Sequence, residues 1–149
     1  MRKESSAFLF KNKIFIHAKK GTQSVPAFSE PLFQLELNDS VELIGNKVRK
    51  CIEAYQSGNE RYDREKWKTV NIPLLKLAGV KGSSSFFGKA LNVPINLENN
   101  SIVFFPTLNT GKGGLKWTQH PNIELDFSTA TDEDLGKALL KAFELSSII

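Results

Sequence analysis

The chain contains few of the residues that metal and thiol chemistry require, with one cysteine and two histidines among 149 residues. Cys51 has no partner for an internal disulfide, and it falls on the apolar face of a predicted helix, where a thiol usually serves as inert packing. His17 and His120 lie in different halves of the chain, and no pair of His or Cys residues has the spacing of a zinc site. We therefore expect no metal and no cofactor.

A catalytic arrangement is also missing. The sequence shows no grouping of nucleophile, base and orienting residue. The glycine-rich stretch 111–114 does not match a phosphate-binding loop, because Pro106 stands where the first glycine belongs and Gly113 where a hydroxyl residue belongs. We expect a protein that is not an enzyme and that has no small-molecule substrate.

Long hydrophobic runs are absent as well. No segment approaches the roughly 20 apolar residues that a membrane span needs. The apolar run near the N-terminus covers only residues 7–10 before Lys11, which is too short for a signal peptide. Together with the single cysteine, these absences predict a cytoplasmic protein without a membrane partner.

The charge of the chain is uneven. The net charge is +4, and residues 1–75 carry all of it, with 13 basic and 9 acidic residues, whereas residues 76–149 carry 7 of each. The first 20 residues contain six basic side chains and one acidic side chain, Glu4. Such an excess either attracts phosphate or an acidic protein surface, or protects exposed strands from pairing with other chains.

An internal repeat organises the chain. In its first copy, residues 7–16 form two apolar runs around a Lys-Asn-Lys turn, which predicts a β-hairpin. A loop that contains Phe28 follows, and residues 31–37 then alternate as a strand. Residues 39–55 place their apolar side chains on one face of a helix.

The second copy has the same order. Residues 93–105 predict a hairpin whose turn contains Asn99 and Asn100, which tolerate the positive φ of tight turns. Residues 121–127 alternate as a strand, and a capping box at 131–134 begins a helix that runs to about residue 146.

Two details bear on how these elements pack. Gly45 and Gly136 occupy equivalent places in the first turns of the two helices. Because glycine destabilises a helix interior by about 1 kcal/mol relative to alanine, its use at both places predicts that each helix approaches the sheet closely there. Pro94, which cannot donate to a neighbouring strand, predicts that its strand lies at an edge.

The fold class follows from this order. Residues 58–91 predict short helices with a break at Pro73. We expect an α+β protein with a mainly antiparallel sheet of about six strands and helices on one face, built from two β-β-β-α repeats with a helical insert. We expect a single domain over residues 1–149, with the first repeat at 7–57 and the second at 92–149.

The succession of segments between residues 7 and 146 resembles the immunity proteins of contact-dependent growth inhibition systems. The second copy carries most of the resemblance, through a strand, a Gly/Lys loop, a further short strand and the start of a helix. The segments that match, in chain order, are 30–33, Trp67, 78–81, 101–107 and 132–138.

The resemblance implies a partner. A protein of this family binds the cognate C-terminal toxin domain of a large exported effector, here expected as a one-to-one complex. Some members neutralise nuclease toxins, and an inserted toxin hairpin can extend the immunity protein's sheet. Inhibitors of nucleases often present acidic surfaces. Because this chain is basic overall, we expect binding either to avoid the nucleic-acid groove of the toxin or to meet an acidic toxin face.

Five residues in the two corresponding loops are candidate contacts with the toxin: Phe28, Lys112, Lys116, Trp117 and His120. Tryptophan is enriched among binding hot spots. The alternative for Phe28 and Trp117 is that they close the open end of the sheet as part of the core.

The alternative function is a small nucleic-acid-binding module. Its basic N-terminal strands interleave with Phe8, Phe10 and Phe15, and exposed aromatic side chains on a basic sheet can stack on bases. No motif of a known nucleic-acid-binding fold accompanies them. We therefore expect a toxin domain, rather than nucleic acid, as the partner.

Overall fold

The structure, a computed structural model, describes residues 1–111, 115–118 and 120–148. The strands are β1 (Lys3–Phe10), β2 (Lys13–Lys20), β3 (Ala27–Glu36), β4 (Leu91–Glu98), β5 (Ser101–Phe104), β6 (Thr107–Asn109), β7 (Leu115–Trp117), β8 (Ile123–Asp126) and β9 (Ser147–Ile148). The helices are α1 (Val41–Glu53), α2 (Arg64–Thr69), α3 (Ile72–Ala78), α4 (Ser83–Phe87) and α5 (Asp132–Leu145).

Six strands form an antiparallel sheet in the order β3-β2-β1-β4-β5-β8. Each repeat supplies three adjacent strands, and the two halves meet where β1 pairs with β4. The predicted α+β class, with a six-stranded antiparallel sheet and packed helices, is confirmed. The sequence did not predict a second, three-stranded sheet in the order β7-β6-β9.

The hairpin turns agree with their residues. Lys11 and Asn12 have φ angles of 50° and 62°, and Asn99 and Asn100 have φ angles of 52° and 64°. Two consecutive residues with positive φ match the right-handed twist of the flanking strands. The predicted hairpins are therefore confirmed, and their turns bring β1 onto β2 and β4 onto β5.

One face of the large sheet packs against α1 and α5. Side chains alternate along each strand, so that Ile14 and Ile16 of β2 and Ile102 and Phe104 of β5 point to this face and are fully buried. They contact the apolar faces of the two long helices, including the buried Cys51. This side forms the main core.

The opposite face of the sheet is covered by the helical insert over β1 and β2. Phe8, Phe10 and Phe15 point to this face and contact Phe86 of α4, with ring centroids 5.0–5.8 Å apart. Leu74 of α3 completes this second apolar cluster. The expectation that helices cover only one face is therefore wrong, because the insert returns across the sheet and buries the second set of alternating residues.

The two long helices contact each other at their glycines. A Cβ atom at Gly45 would lie 1.7 Å from the backbone oxygen of Asp132, and one at Gly136 would lie 1.9 Å from that of Val41. The nearest atoms thus belong to the other helix. The expectation that each glycine brings its helix close to the sheet is wrong, since the glycines instead let the helices approach each other.

Polar groups reinforce this crossing. Arg49 of α1 donates from Nε to a carboxylate oxygen of Asp132 at 2.8 Å and from Nη2 to the backbone oxygen of Ala130 at 2.7 Å. The hydrogen bond from Arg49 holds the pKa of Asp132 below its usual value. The predicted capping box is confirmed, because Thr131 and Asp134 exchange hydrogen bonds at the start of α5.

Pro94 and Pro73 differ in how well the structure agrees with their predicted positions. The expectation that Pro94 marks an edge is wrong, because β4 lies between β1 and β5. The carbonyl of Pro94 accepts a hydrogen bond from the backbone of Phe105 beyond the last residue pair of β4 with β5. The backbone nitrogen of Pro94, which has no hydrogen to donate, therefore lies on the side of β4 that faces the end of β5. The hydrogen bonds between β4 and β1 are not affected. The predicted break between two short helices is present, because α2 ends at Thr69 and α3 begins at Ile72. Pro73 lies in the first turn of α3, where its lack of an N–H is tolerated.

None of the helices in the described part of the chain is long and apolar enough to cross a membrane.

We predict that Gly45→Ala lowers the free energy of unfolding by about 3 kcal/mol, because the new methyl group forces the two helix backbones apart. Urea denaturation measures this change. Gly82→Ala is the matched control and should change it by less than about 1 kcal/mol, since the nearest atom to its Cβ is the Ser85 hydroxyl at 3.9 Å. Equal effects of the two substitutions would contradict the close helix contact.

Candidate partner-binding surface

The small sheet is fixed to the rest of the protein by its central strand, β6. The Asn109 side-chain amide donates to the backbone oxygens of Phe87 and Ala90 at 2.8 and 2.7 Å. The backbone N–H of Thr107 donates to the Ser146 hydroxyl at 3.1 Å. Both anchors are buried, so β6 holds β7 at a defined place on the surface.

Three of the candidate contact residues lie on the segment that this sheet positions. Lys116 and Trp117 belong to β7, an edge strand that pairs with β6, and His120 follows on the way to β8. Lys116 and His120 are exposed. The side chain of Trp117 lies outside what the structure describes, and Lys112 lies outside the described residues.

A surface groove of about 410 Å³ runs beside this segment. Phe105 and Pro106 line one side of it, and Thr118, His120 and Pro121 line the other. The backbone N–H of His120 donates to the Thr118 hydroxyl at 3.2 Å, which fixes the turn. The groove combines apolar rings with an exposed imidazole, which are groups that a protein side chain can contact.

The structure separates Phe28 from the other candidates. Phe28 lies in β3, at the opposite edge of the large sheet from β8, and not in a loop as expected. Its ring is half-buried, with its centroid 4.8 Å from that of His17, and it packs against the aromatic cluster beneath the insert. This environment agrees with the alternative in which Phe28 belongs to the core.

A further surface was not identified from the sequence. The insert covers the second face of the large sheet over β1 and β2, and over β4, β5 and β8 this face points outward. Cross-strand pairs place Glu98, Ser101 and Asp126 in one row and Asn96, Val103 and Glu124 in the next. We call this surface, defined by those six residues, the open face.

The open face is acidic. Glu98, Glu124 and Asp126 are exposed, and strands β4, β5 and β8 contain no lysine or arginine. The hydroxyl of Ser101 donates to the Glu124 carboxylate. The hydroxyl and the backbone N–H of Ser128 donate to the Asp126 carboxylate at 2.6 and 2.9 Å, which holds the pKa of Asp126 below its usual value. This half of the sheet therefore presents negative charge although the chain as a whole is basic.

The outer edge of β8 borders the open face. Within the described residues β8 pairs only with β5. The backbone N–H of Phe127 donates to the carbonyl of Asn100, and backbone groups alternate in direction along a strand. The N–H and C=O of Glu124 therefore point away from β5, where an added strand could bind them.

The described ranges give little support for a metal site or a reactive thiol. No three His, Cys, Asp or Glu side chains there are grouped so that they could hold a metal ion. Cys51 lies in the core, and burial raises the pKa of its thiol to about 12. A thiol in that state is a poor nucleophile.

Comparison with known proteins adds three findings. The sequence model of one protein family, described as CDI immunity protein, matches residues 5–146 of this chain. A protein of unknown function from Neisseria meningitidis has a similar structure, with a TM-score of 0.80, 16% identity and coverage of 98% of this chain and 96% of that one. A chain of the CdiA-CT/CdiI toxin and immunity complex from Yersinia pseudotuberculosis is also similar, with a TM-score of 0.77, 12% identity and coverage of 98% of both chains. No curated protein is significantly similar in sequence.

We predict that Lys116→Ala and His120→Ala each change the free energy of unfolding by less than about 0.5 kcal/mol, because both side chains are exposed. Phe28→Ala should lower it by about 1–3 kcal/mol, since its ring packs beside His17. Chemical denaturation of the three variants tests this ranking. A large loss of stability in the Lys116 or His120 variant would show that the side chain supports the fold and does not serve only to contact a partner.

Proposed function

Because the chain belongs to the CDI immunity protein family, we propose that it binds and neutralises the C-terminal toxin domain of a contact-dependent growth inhibition effector. We further propose that the toxin is a nuclease, that the complex contains one copy of each protein, and that it forms in the cytoplasm. In this function the chain acts by binding and not by catalysis.

The acidic open face is the observation that supports a nuclease as the partner. A nuclease must hold phosphates, so its substrate groove is basic. The carboxylates of Glu98 and Glu124 complement such a groove and would speed the encounter of the two proteins. This proposal replaces the expectation, drawn from the overall charge of +4, that binding avoids the nucleic-acid groove or meets an acidic toxin face. The overall charge does not oppose contact with a basic groove, because none of the basic residues belongs to β4, β5 or β8.

The outer edge of β8, which pairs with no further strand of the described residues, offers a second means of contact. A strand of the toxin could pair with the outward backbone groups of Glu124, while its side chains lie over the open face. Backbone pairing would supply affinity, and the carboxylates would supply selectivity for a basic partner. The segment with Lys116 and His120, and its groove, would lie at the rim of such an interface.

The alternative of a nucleic-acid-binding module loses its main support. That interpretation requires exposed aromatic rings on the basic N-terminal strands. Phe8 and Phe10 are each 5% exposed and Phe15 is 1% exposed, because the helical insert covers them. These rings are therefore unable to stack on bases without displacement of the insert.

We predict that this chain restores growth when it is co-expressed with the C-terminal fragment of the effector encoded immediately upstream, and that the two purify as a one-to-one complex. The fragment alone should arrest growth. Light scattering of the purified complex gives the stoichiometry, and nuclease assays on the fragment give its activity. Continued growth arrest despite folded, abundant protein would contradict the immunity function.

We predict that the double variant Glu98→Gln, Glu124→Gln lowers the association rate with the toxin by about tenfold at low salt. Its rate should also fall less steeply with ionic strength than that of the original chain, since fewer charges steer the encounter. Stopped-flow or surface binding kinetics measure both quantities.

The matched control is Glu65→Gln, Glu144→Gln, which removes the same charge from two exposed carboxylates on helices away from the open face. Equal losses in the two double variants would show that net charge, and not the open face, governs association. Unfolding curves should coincide for both variants because all four side chains are at the surface.

A further inference from the structure

A cavity of about 180 Å³ lies between the large sheet and the helical insert. Its floor includes Ser6 of β1, His17 and Lys19 of β2 and Asn92 of β4, and Trp67 of α2 forms part of its roof. A single water molecule needs roughly 10–15 Å³ on this measure. The cavity therefore has room for a small organic molecule.

Two residues with hydrogen-bond acceptors, Asn92 and His17, line this cavity. The side-chain oxygen of Asn92 is buried and has no partner among the described residues. His17, 4% exposed, uses Nδ1 to donate to the backbone oxygen of Ala18 at 2.6 Å, because a carbonyl can only accept. Burial lowers the pKa of His17 to about 4, so the imidazole is neutral and its Nε2 carries a lone pair.

The cavity also contains a cation, the Lys19 ammonium. Lys19 points to the same side of β2 as His17, is partly buried, and has a pKa lowered by that burial. The nearest influential carboxylate, Glu4, forms its ion pair with Arg2 at 3.7 Å. No acidic group of the described residues lies within 4 Å of the Lys19 ammonium. A partly buried charge without an ion pair at short range destabilises a protein, so Lys19 would gain from an anionic ligand.

These groups define the chemistry of a ligand. The Lys19 ammonium binds a negatively charged acceptor more strongly than a neutral one, whereas Asn92 Oδ1 and His17 Nε2 accept from a donor. The Ser6 hydroxyl, 3% exposed and paired in register with His17, can serve either role. Phe28 and Trp67 line the same cavity with aromatic surface, which suits a planar apolar substituent.

We propose that this cavity is a binding site for a small oxyanion that also carries a hydroxyl or N–H group, as a protonated phosphate monoester does. The anionic oxygens accept from Lys19, and the hydroxyl donates to His17 or Asn92. The site lies on the half of the second face that the insert covers and is separate from the open face. It is thus independent of the toxin contact, and it adds a small ligand where the sequence predicted none.

The test is a calorimetric titration of the full chain at mildly acidic pH, where inorganic phosphate is mainly H2PO4⁻. We expect saturable binding of phosphate, binding of sulfate weaker by about tenfold because it lacks a proton to donate, and tighter binding of phenyl phosphate through the aromatic walls. Absence of saturable phosphate binding, or sulfate bound as tightly as phosphate, would overturn the proposal.

Three variants locate the site. Lys19→Met should weaken phosphate binding by about tenfold or more. His17→Phe keeps the ring between Phe8 and Phe28 but removes Nε2, so it should weaken phosphate binding while leaving sulfate binding unchanged. The control is Lys13→Met, on the same strand, whose exposed ion pair with Glu36 contributes little to stability. Phosphate binding that responds equally to all three substitutions would place the ion elsewhere.

Thermal unfolding without phosphate separates binding from folding. Lys19→Met removes an uncompensated charge from a partly buried place, so its midpoint should equal or exceed that of the original chain. A stable Lys19→Met protein that binds phosphate with unchanged affinity would refute the proposed site. A loss of binding without a loss of stability would support it.

Discussion

The close crossing of α1 and α5 at Gly45 and Gly136 is the contact on which the arrangement of the two repeats depends. Because neither residue has a Cβ atom, the backbone oxygens of Asp132 and Val41 occupy the space that side chains would fill. The repeats also meet in the sheet, where β1 pairs with β4. The two repeats are therefore joined twice, by the pairing of β1 with β4 in the sheet and by the contact of α1 with α5 on one face of it. The insert is not needed to cover this face.

The insert can then cover the second face, and it covers only part of it. Over β1 and β2 it buries Phe8 and Phe15 and borders the cavity that contains His17 and Lys19. Over β4 and β8 the same alternation of side chains leaves Glu98 and Glu124 in solvent. Two copies of one motif thus give two different surfaces, one enclosed and mixed in polarity, the other open and acidic. The difference comes from the position of the insert together with the residues at these positions, which are aromatic in the first repeat and acidic in the second.

What the sequence predicted, and what it did not, follows from the range of the interactions. The turns at Asn12 and Asn99 and the capping box at Thr131 depend on residues a few positions apart, and the structure agrees with them. The prediction that Pro94 lies in an edge strand was wrong, and so was the prediction that Gly45 approaches the sheet. Both depend on contacts between residues far apart in the chain, namely the order of the strands and the packing of the two long helices. The open face was missed for the same reason, since Glu98 and Glu124 share a face only after β4, β5 and β8 pair.

The separation of inward and outward residues also bears on how such a protein distinguishes its partner. The similar structures share 16% and 12% identity with this chain over nearly its full length, so the fold tolerates extensive substitution. In β4 and β8, Leu97 and Leu125 pack against the core while Glu98 and Glu124 point outward. Outward residues can therefore change without loss of the core. Under the proposed function, the same carboxylates that attract a basic toxin repel an acidic one, so that a few surface charges supply both affinity and discrimination.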